Sequence, residues 1–208
     1  YDLKTWFRVP TSFDGKELHI THMPEYNSVY YAYFAPYSHQ RHLEMIHKAQ
    51  TSKQMVLENL GQTVEGRNID LLVAGEIADS KPKIWIIGRQ HPGEPMAEWF
   101  MEGLIERLCN TNDPVSRTLL DQAIFYLIPN INPDGSIHGN LRTNAAGHNL
   151  NRAWQNPDPI ETPEVYYVRQ RMIDTGVDMC LDIHGDEALP YCFATSNAGI
   201  PSFSKRLG

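Results

Sequence analysis

Two histidines and one glutamate have the types and spacing to do chemistry in this chain. His91 and Glu94 stand three residues apart in Ile84-Trp85-Ile86-Ile87-Gly88-Arg89-Gln90-His91-Pro92-Gly93-Glu94-Pro95, where an apolar run passes into a Pro/Gly loop. A neutral imidazole and a carboxylate at this H-x-x-E spacing reach a single metal ion, and a catalytic zinc needs a further protein ligand. His184, in Leu181-Asp182-Ile183-His184-Gly185, also follows an apolar run and is the expected third ligand. Two imidazoles and one carboxylate hold zinc while leaving a position for water. Asp182 is placed either to orient a ligand from behind or to cap backbone at the strand end.

Three other segments fit the same site. Pro129-Asn130-Ile131-Asn132-Pro133-Asp134-Gly135 is dense in turn dipeptides and is expected to fix a rigid loop beside the metal. In Asn149-Leu150-Asn151-Arg152 a guanidinium fork, suited to gripping a carboxylate, stands beside an amide that can bond the same group. Asn140-Leu141-Arg142 brings a second guanidinium, able to stabilise charge developing on a carbonyl oxygen. Taken singly, these are ordinary turns and solvated arginines. Their order along the chain makes them a constellation.

The elements that must position these residues follow from periodicity. Aromatic and β-branched runs fill residues 1–36 (Trp6 to Val9, Leu18 to Ile20, Val29 to Phe34), with a hairpin signal at Asp14-Gly15. This stretch reads as the end of a small β domain, with a second domain from 37 to 208. Ser38 is placed to cap a helix over 39–50, with Leu43, Ile46 and Ala49 on one face. An antiparallel pair flanks Val64-Glu65-Gly66-Arg67, and a strand over 83–88 follows. Helix 95–109, with Phe100, Leu104, Ile105 and Leu108 at helical spacing, precedes a helix over 114–121 and a strand over 124–128. A long loop over 129–159, a helix over 163–175 and a strand over 179–183 complete the series. Strands alternating with helices predict crossover connections and a mostly parallel sheet in an α/β domain.

Bulk properties exclude several classes. The 208 residues carry a net charge of −7 without a basic block, which argues against a nucleic-acid partner. No apolar run approaches the ~20 residues that cross a bilayer. Cys109, Cys180 and Cys192 lack C-x-x-C spacing and fit free, mostly buried thiols in a reducing, cytoplasmic compartment.

Taken together, His91-Pro92-Gly93-Glu94, Asn132-Pro133-Asp134-Gly135, Leu150-Asn151-Arg152 and Asp182-Ile183-His184-Gly185 resemble the M14 zinc metallocarboxypeptidases. Leu60 to Arg67 is similar to that family's early hairpin. Val29 to Tyr37 looks like the end of the extra β domain of the cytosolic carboxypeptidase branch, whose eukaryotic members shorten glutamate tails on tubulin and other proteins. The resemblance implies a zinc exopeptidase with an α/β/α sandwich fold on a mixed, mostly parallel sheet, and one Zn2+ per chain held by His91, Glu94 and His184. It implies that Asn151 and Arg152 bind the free C-terminal carboxylate of a peptide or protein, and that Arg142 polarises the scissile carbonyl. Acidic C-terminal residues are among the substrates it suggests.

One departure matters. In the family, the general-base glutamate and a tyrosine that closes over the substrate lie well after the third ligand, whereas the sequence ends 24 residues past His184. The expectation is a general-base Glu beyond Gly208, in a longer enzyme; the other reading is a form without catalytic competence. Two further functions stay open. One is a zinc deacylase of N-acyl amino acids, similar to aspartoacylase, which shares H-x-x-E and an Asn-Arg pair. The other is a non-catalytic module that keeps the carboxylate clamp.

Overall fold

In the computed structural model, residues 2–189 and 191–195 are described. Near the N-terminus, β1 (Thr11–Phe13) and β2 (Leu18–Ile20) form an antiparallel hairpin. Its turn is fixed by Asp14, whose carboxylate accepts from Lys16 N and Glu17 N, and by Gly15 at φ +97°. The expected strands over 6–9 and 29–34 do not form. Their composition favours extended chain, but among the described residues neither has a partner strand, and β-propensity stabilises only what packs.

Helix α1 (His39–Gln50) begins at Ser38, whose hydroxyl accepts from Arg41 N at 3.2 Å as an N-cap. Its buried stripe is His42, Met45, Ile46 and Ala49, so a histidine sits where an apolar residue was expected and Leu43 lies at the margin. Strands β3 (Met55–Gln62) and β4 (Asn68–Ala74) form the expected antiparallel pair. Strand β5 (Lys83–Gly88) leads through the Pro/Gly loop into α2 (Met96–Cys109), followed by α3 (Pro114–Gln122) and β6 (Ile124–Ile128). On α2 the inward residues are Ala97, Glu98, Met101, Ile105 and Leu108, whereas Phe100 is exposed. The stripe is offset because a carboxylate, not an aromatic ring, faces the sheet.

The expected long loop over 129–159 is partly helical. It contains α4 (Pro133–His138) and a single 3-10 turn, Leu150–Arg152. Both are too short to show a period in sequence, and both are started by an asparagine side chain: Asn132 accepts from Gly135 N, and Asn149 from Asn151 N. Helix α5 (Pro163–Thr175) and strand β7 (Met179–Ile183) complete the described elements.

The strands join in the order β3-β4-β6-β5-β7. The β3–β4 and β4–β6 pairings are antiparallel, and β6–β5 and β5–β7 parallel, so the sheet is mixed. Alternate residues of the central strands face opposite sides. Leu72, Ile86, Phe125 and Leu127 pack against α1 and α2, whereas Leu71, Trp85, Ile87 and Tyr126 pack against Val165 and Val168 of α5. The aliphatic and phenyl side chains among these, almost entirely removed from water, each stabilise the layered fold by about 1.5–3 kcal/mol. The cysteines depart from expectation: Cys180 and Cys192 are exposed and Cys109 is half-buried.

The register positions the site. Gly88, the last residue of β5, pairs with Ile183, the last of β7, and Ile87 pairs with Ile128, the last of β6. The loops carrying His91, Asn130 to Asp134 and His184 therefore leave the same edge of the sheet, where open α/β sheets build their sites.

Candidate metal centre

His91, Glu94 and His184 converge. Each offers one ligand atom, and those atoms all lie within 4.8 Å of one another. Glu94 stands between the imidazoles, with Oε1 2.8 Å from His91 Nδ1 and Oε2 2.9 Å from His184 Nδ1. Ligands around a tetrahedral zinc are roughly 3.3 Å apart, given bonds of about 2.0 Å, so small adjustments close the shell.

The outer nitrogens are held as a metal site requires. His91 Nε2 lies 3.2 Å from Asn149 Oδ1, and His184 Nε2 lies 2.8 Å from Asp182 Oδ2. A proton on each Nε2 leaves each Nδ1 as a lone pair directed at Glu94, the tautomer a metal ligand needs. The protein alone gives those lone pairs poor company. His91 Nδ1 faces both Glu94 Oε1 and Arg142 NH1, the latter at 3.2 Å, and one ring nitrogen cannot donate to the first while accepting from the second. A cation among the three ligands removes that conflict. The donor set fits zinc.

Electrostatics agree. Burial opposes ionisation of Glu94, yet in the absence of a metal its contacts with protonatable His184 and His91, and the hydrogen bond from Gly185 N, hold its carboxyl at about 2. Contacts with Asp182 and then Glu94 outweigh burial at His184 and raise it to about 9. The site is thus a negatively biased pocket that protonates an imidazole when no metal is bound, and metal binding displaces that proton.

The supporting loops interlock. Gly93 N donates to Leu141 O at 3.0 Å, and a Cβ at Gly93 would fall 2.9 Å from that oxygen, so only glycine allows the approach. This contact docks the Arg142 loop on the metal loop. Asn132 Nδ2 donates to Gln90 O at 3.0 Å, which places the Asn132-Pro133-Asp134-Gly135 turn beside the ligands. Gln90 in turn donates from Nε2 to Asp182 Oδ2 at 2.6 Å and accepts from Trp154 Nε1 at 2.9 Å.

Of the residues expected from sequence, Arg142 reaches the centre, with NH1 3.8 Å from Glu94 Oε1, and remains half-exposed. Asn151 Nδ2 lies 3.4 Å from His184 Nε2. Arg152 is exposed on the same 3-10 turn, its NH1 donating to Asn151 O at 3.2 Å. Asn149, Gln90 and Glu98 were not singled out from the sequence. Asn149 had a legible signal, since an asparagine two residues before Asn151 is a capping residue with its carbonyl oxygen aimed back into the loop.

Fold and site together define a zinc carboxypeptidase, and the chain belongs to that family: residues 42–193 match the zinc carboxypeptidase profile. Within it the chain falls in the cytosolic carboxypeptidase branch, because residues 1–34 match the cytosolic carboxypeptidase N-terminal domain. A crystal structure of a metallo-carboxypeptidase from Burkholderia cenocepacia superposes with a TM-score of 0.92 at 52% identity, over 99% of this chain and 56% of that one. An uncharacterized protein from Zymomonas mobilis is 46% identical over 98% of this chain and 53% of its own length. Human cytosolic carboxypeptidase 1 is 33% identical over 67% of this chain and 13% of its own length. The chain thus spans about half the length of the bacterial relatives and a smaller share of the human one. Among the described residues no helix is long and apolar enough to cross a membrane.

Proposed function

We propose that this chain carries the metal-binding half of a zinc-dependent metallocarboxypeptidase that hydrolyses the C-terminal peptide bond of peptides or proteins in the cytoplasm. The observation that carries the reading is the convergence of His91, Glu94 and His184 with both outer imidazole nitrogens already partnered. A bound zinc supplies Lewis acidity, which acidifies a water and polarises a carbonyl. The chain's own residues supply the rest. Asn151 and Arg152 take the terminal carboxylate of the substrate, fixing register so that only the last peptide bond meets the reacting centre. Arg142, already beside Glu94, donates to the oxygen on which charge develops. Residues 1–36 belong to the branch's N-terminal β domain, and 37–208 to the catalytic domain. Acidic C-terminal residues are among the substrates this reading suggests.

The test compares peptides with free C-termini, their C-terminal amides, and N-acetyl amino acids, using full-length protein. The reading expects release of the last residue from the free acids alone. Hydrolysis of N-acetyl amino acids without peptide cleavage would instead make the protein a deacylase.

A further inference from the structure

Arg89 carries two costs at once. It is a non-glycine residue at φ +54°, a left-handed conformation worth roughly 1–3 kcal/mol of strain. Its charged side chain is also buried, with 6% of the residue exposed. A buried guanidinium is tolerated only when it is well paired, and Nε and NH1 of Arg89 both have acceptors. Nε donates to Pro92 O at 3.1 Å, and NH1 donates to Tyr37 O at 2.9 Å and to Glu98 Oε2 at 2.6 Å.

Glu98 is itself fully buried and works as an anchor. Oε2 also accepts from Asn130 Nδ2 at 3.1 Å, and Oε1 lies 2.7 Å from His42 Nδ1. His42 Nε2 completes the chain at 3.3 Å from Asp70 Oδ2. Two cationic and two anionic side chains from α1, β4, α2 and the metal loop thus form a closed cluster beneath the site. If its task were only to hold α2 on the sheet, apolar residues would do so as well or better. What apolar residues lack is a donor for Pro92 O, the carbonyl lying between the ligands His91 and Glu94.

We propose that Arg89 is a positioning residue for the metal ligands: anchored on Glu98, its guanidinium grips Pro92 O and holds the 89–94 loop in the shape that presents His91 and Glu94 to one ion. This inference rests on the reading of His91, Glu94 and His184 as zinc ligands. The left-handed turn at Arg89 is the conformation that lets one residue both belong to the loop and reach across it.

The test measures zinc affinity by competition with a chromophoric chelator, on metal-stripped protein whose circular dichroism matches the parent. Arg89→Gly adopts the left-handed conformation freely but has no guanidinium. It is expected to bind zinc about 10–100-fold more weakly, the range seen when outer partners of metal ligands are removed. Arg89→Lys, which keeps the charge without the fork, is expected to fall between Arg89→Gly and the parent. Should Arg89→Gly not fold, Glu98→Gln, of nearly equal volume, is expected to weaken zinc binding in the same direction. A folded Arg89→Gly, or a folded Glu98→Gln, with parental affinity overturns the proposal alone. A parent that binds no zinc overturns the metal reading, and the proposal with it.

Discussion

Asp182 Oδ2 lies 2.8 Å from His184 Nε2, on the opposite edge of the imidazole from the Nδ1 that faces Glu94. The carboxylate therefore fixes the tautomer that leaves Nδ1 free for a metal, and it raises the ring's basicity as a ligand. Asp182→Ala is expected to lower zinc affinity by about 10–100-fold while the protein remains folded. Chelator competition on the purified variant measures this, and an unchanged affinity would remove Asp182 from the site.

Arg152 is assigned to substrate and His91 to metal, so their variants must separate. Arg152→Ala should retain zinc and lose about 1.5–3 kcal/mol of transition-state binding, the worth of hydrogen bonds to a charged group, or roughly 10–150-fold in kcat/KM on free C-termini. His91→Ala should lose zinc and activity together. Zinc content and kcat/KM, measured on the same full-length preparations, decide between these outcomes.

Asp134 is fully buried and accepts from Thr63 Oγ1 at 2.9 Å, Glu65 N at 2.9 Å and Arg67 NH1 at 2.7 Å. It ties the β3–β4 turn to the loop beside the metal. Asp134→Ala strands these donors, at a cost of about 2–3 kcal/mol. For a chain of this size that is a fall of roughly 5–10 °C in Tm. Differential scanning calorimetry checks it, with zinc stoichiometry expected to hold at parental value.

His42 gives the fold a pH signature. Burial works against its protonation, but hydrogen bonds to Asp70 and Glu98 prevail and raise it from 6.5 to about 9. Because the folded value exceeds the unfolded one, the stabilisation is complete below about pH 6.5 and is lost as pH rises through about 9. The difference in Tm between the parent and His42→Phe, both metal-free, is therefore expected to shrink from pH 6 to pH 10. A difference independent of pH would show that His42 is neutral in the fold.

That His91, Glu94 and His184 could share one metal was legible in the sequence, because few residue types ligate zinc and each follows an apolar strand. Their convergence needed the sheet, since it depends on Gly88 pairing with Ile183 across two parallel strands. The cluster beneath them was half legible. Glu98 shares helical spacing with Met101, Ile105 and Leu108, so an inward carboxylate was readable, but its partners at 42, 89 and 130 come from distant chain. The helix Pro133–His138 was hidden by its brevity, although Asn132 before Pro133 is a helix-start signal. Residues 29–34 showed the opposite error: their composition suits a strand, and no neighbour completes it.

The most direct measurement is anomalous diffraction at the zinc edge from crystals of the full-length protein. One peak per chain is expected, about 2.0–2.2 Å from His91 Nδ1, a Glu94 carboxylate oxygen and His184 Nδ1. A zinc peak bound elsewhere, with those three side chains still bonded to one another, would contradict it.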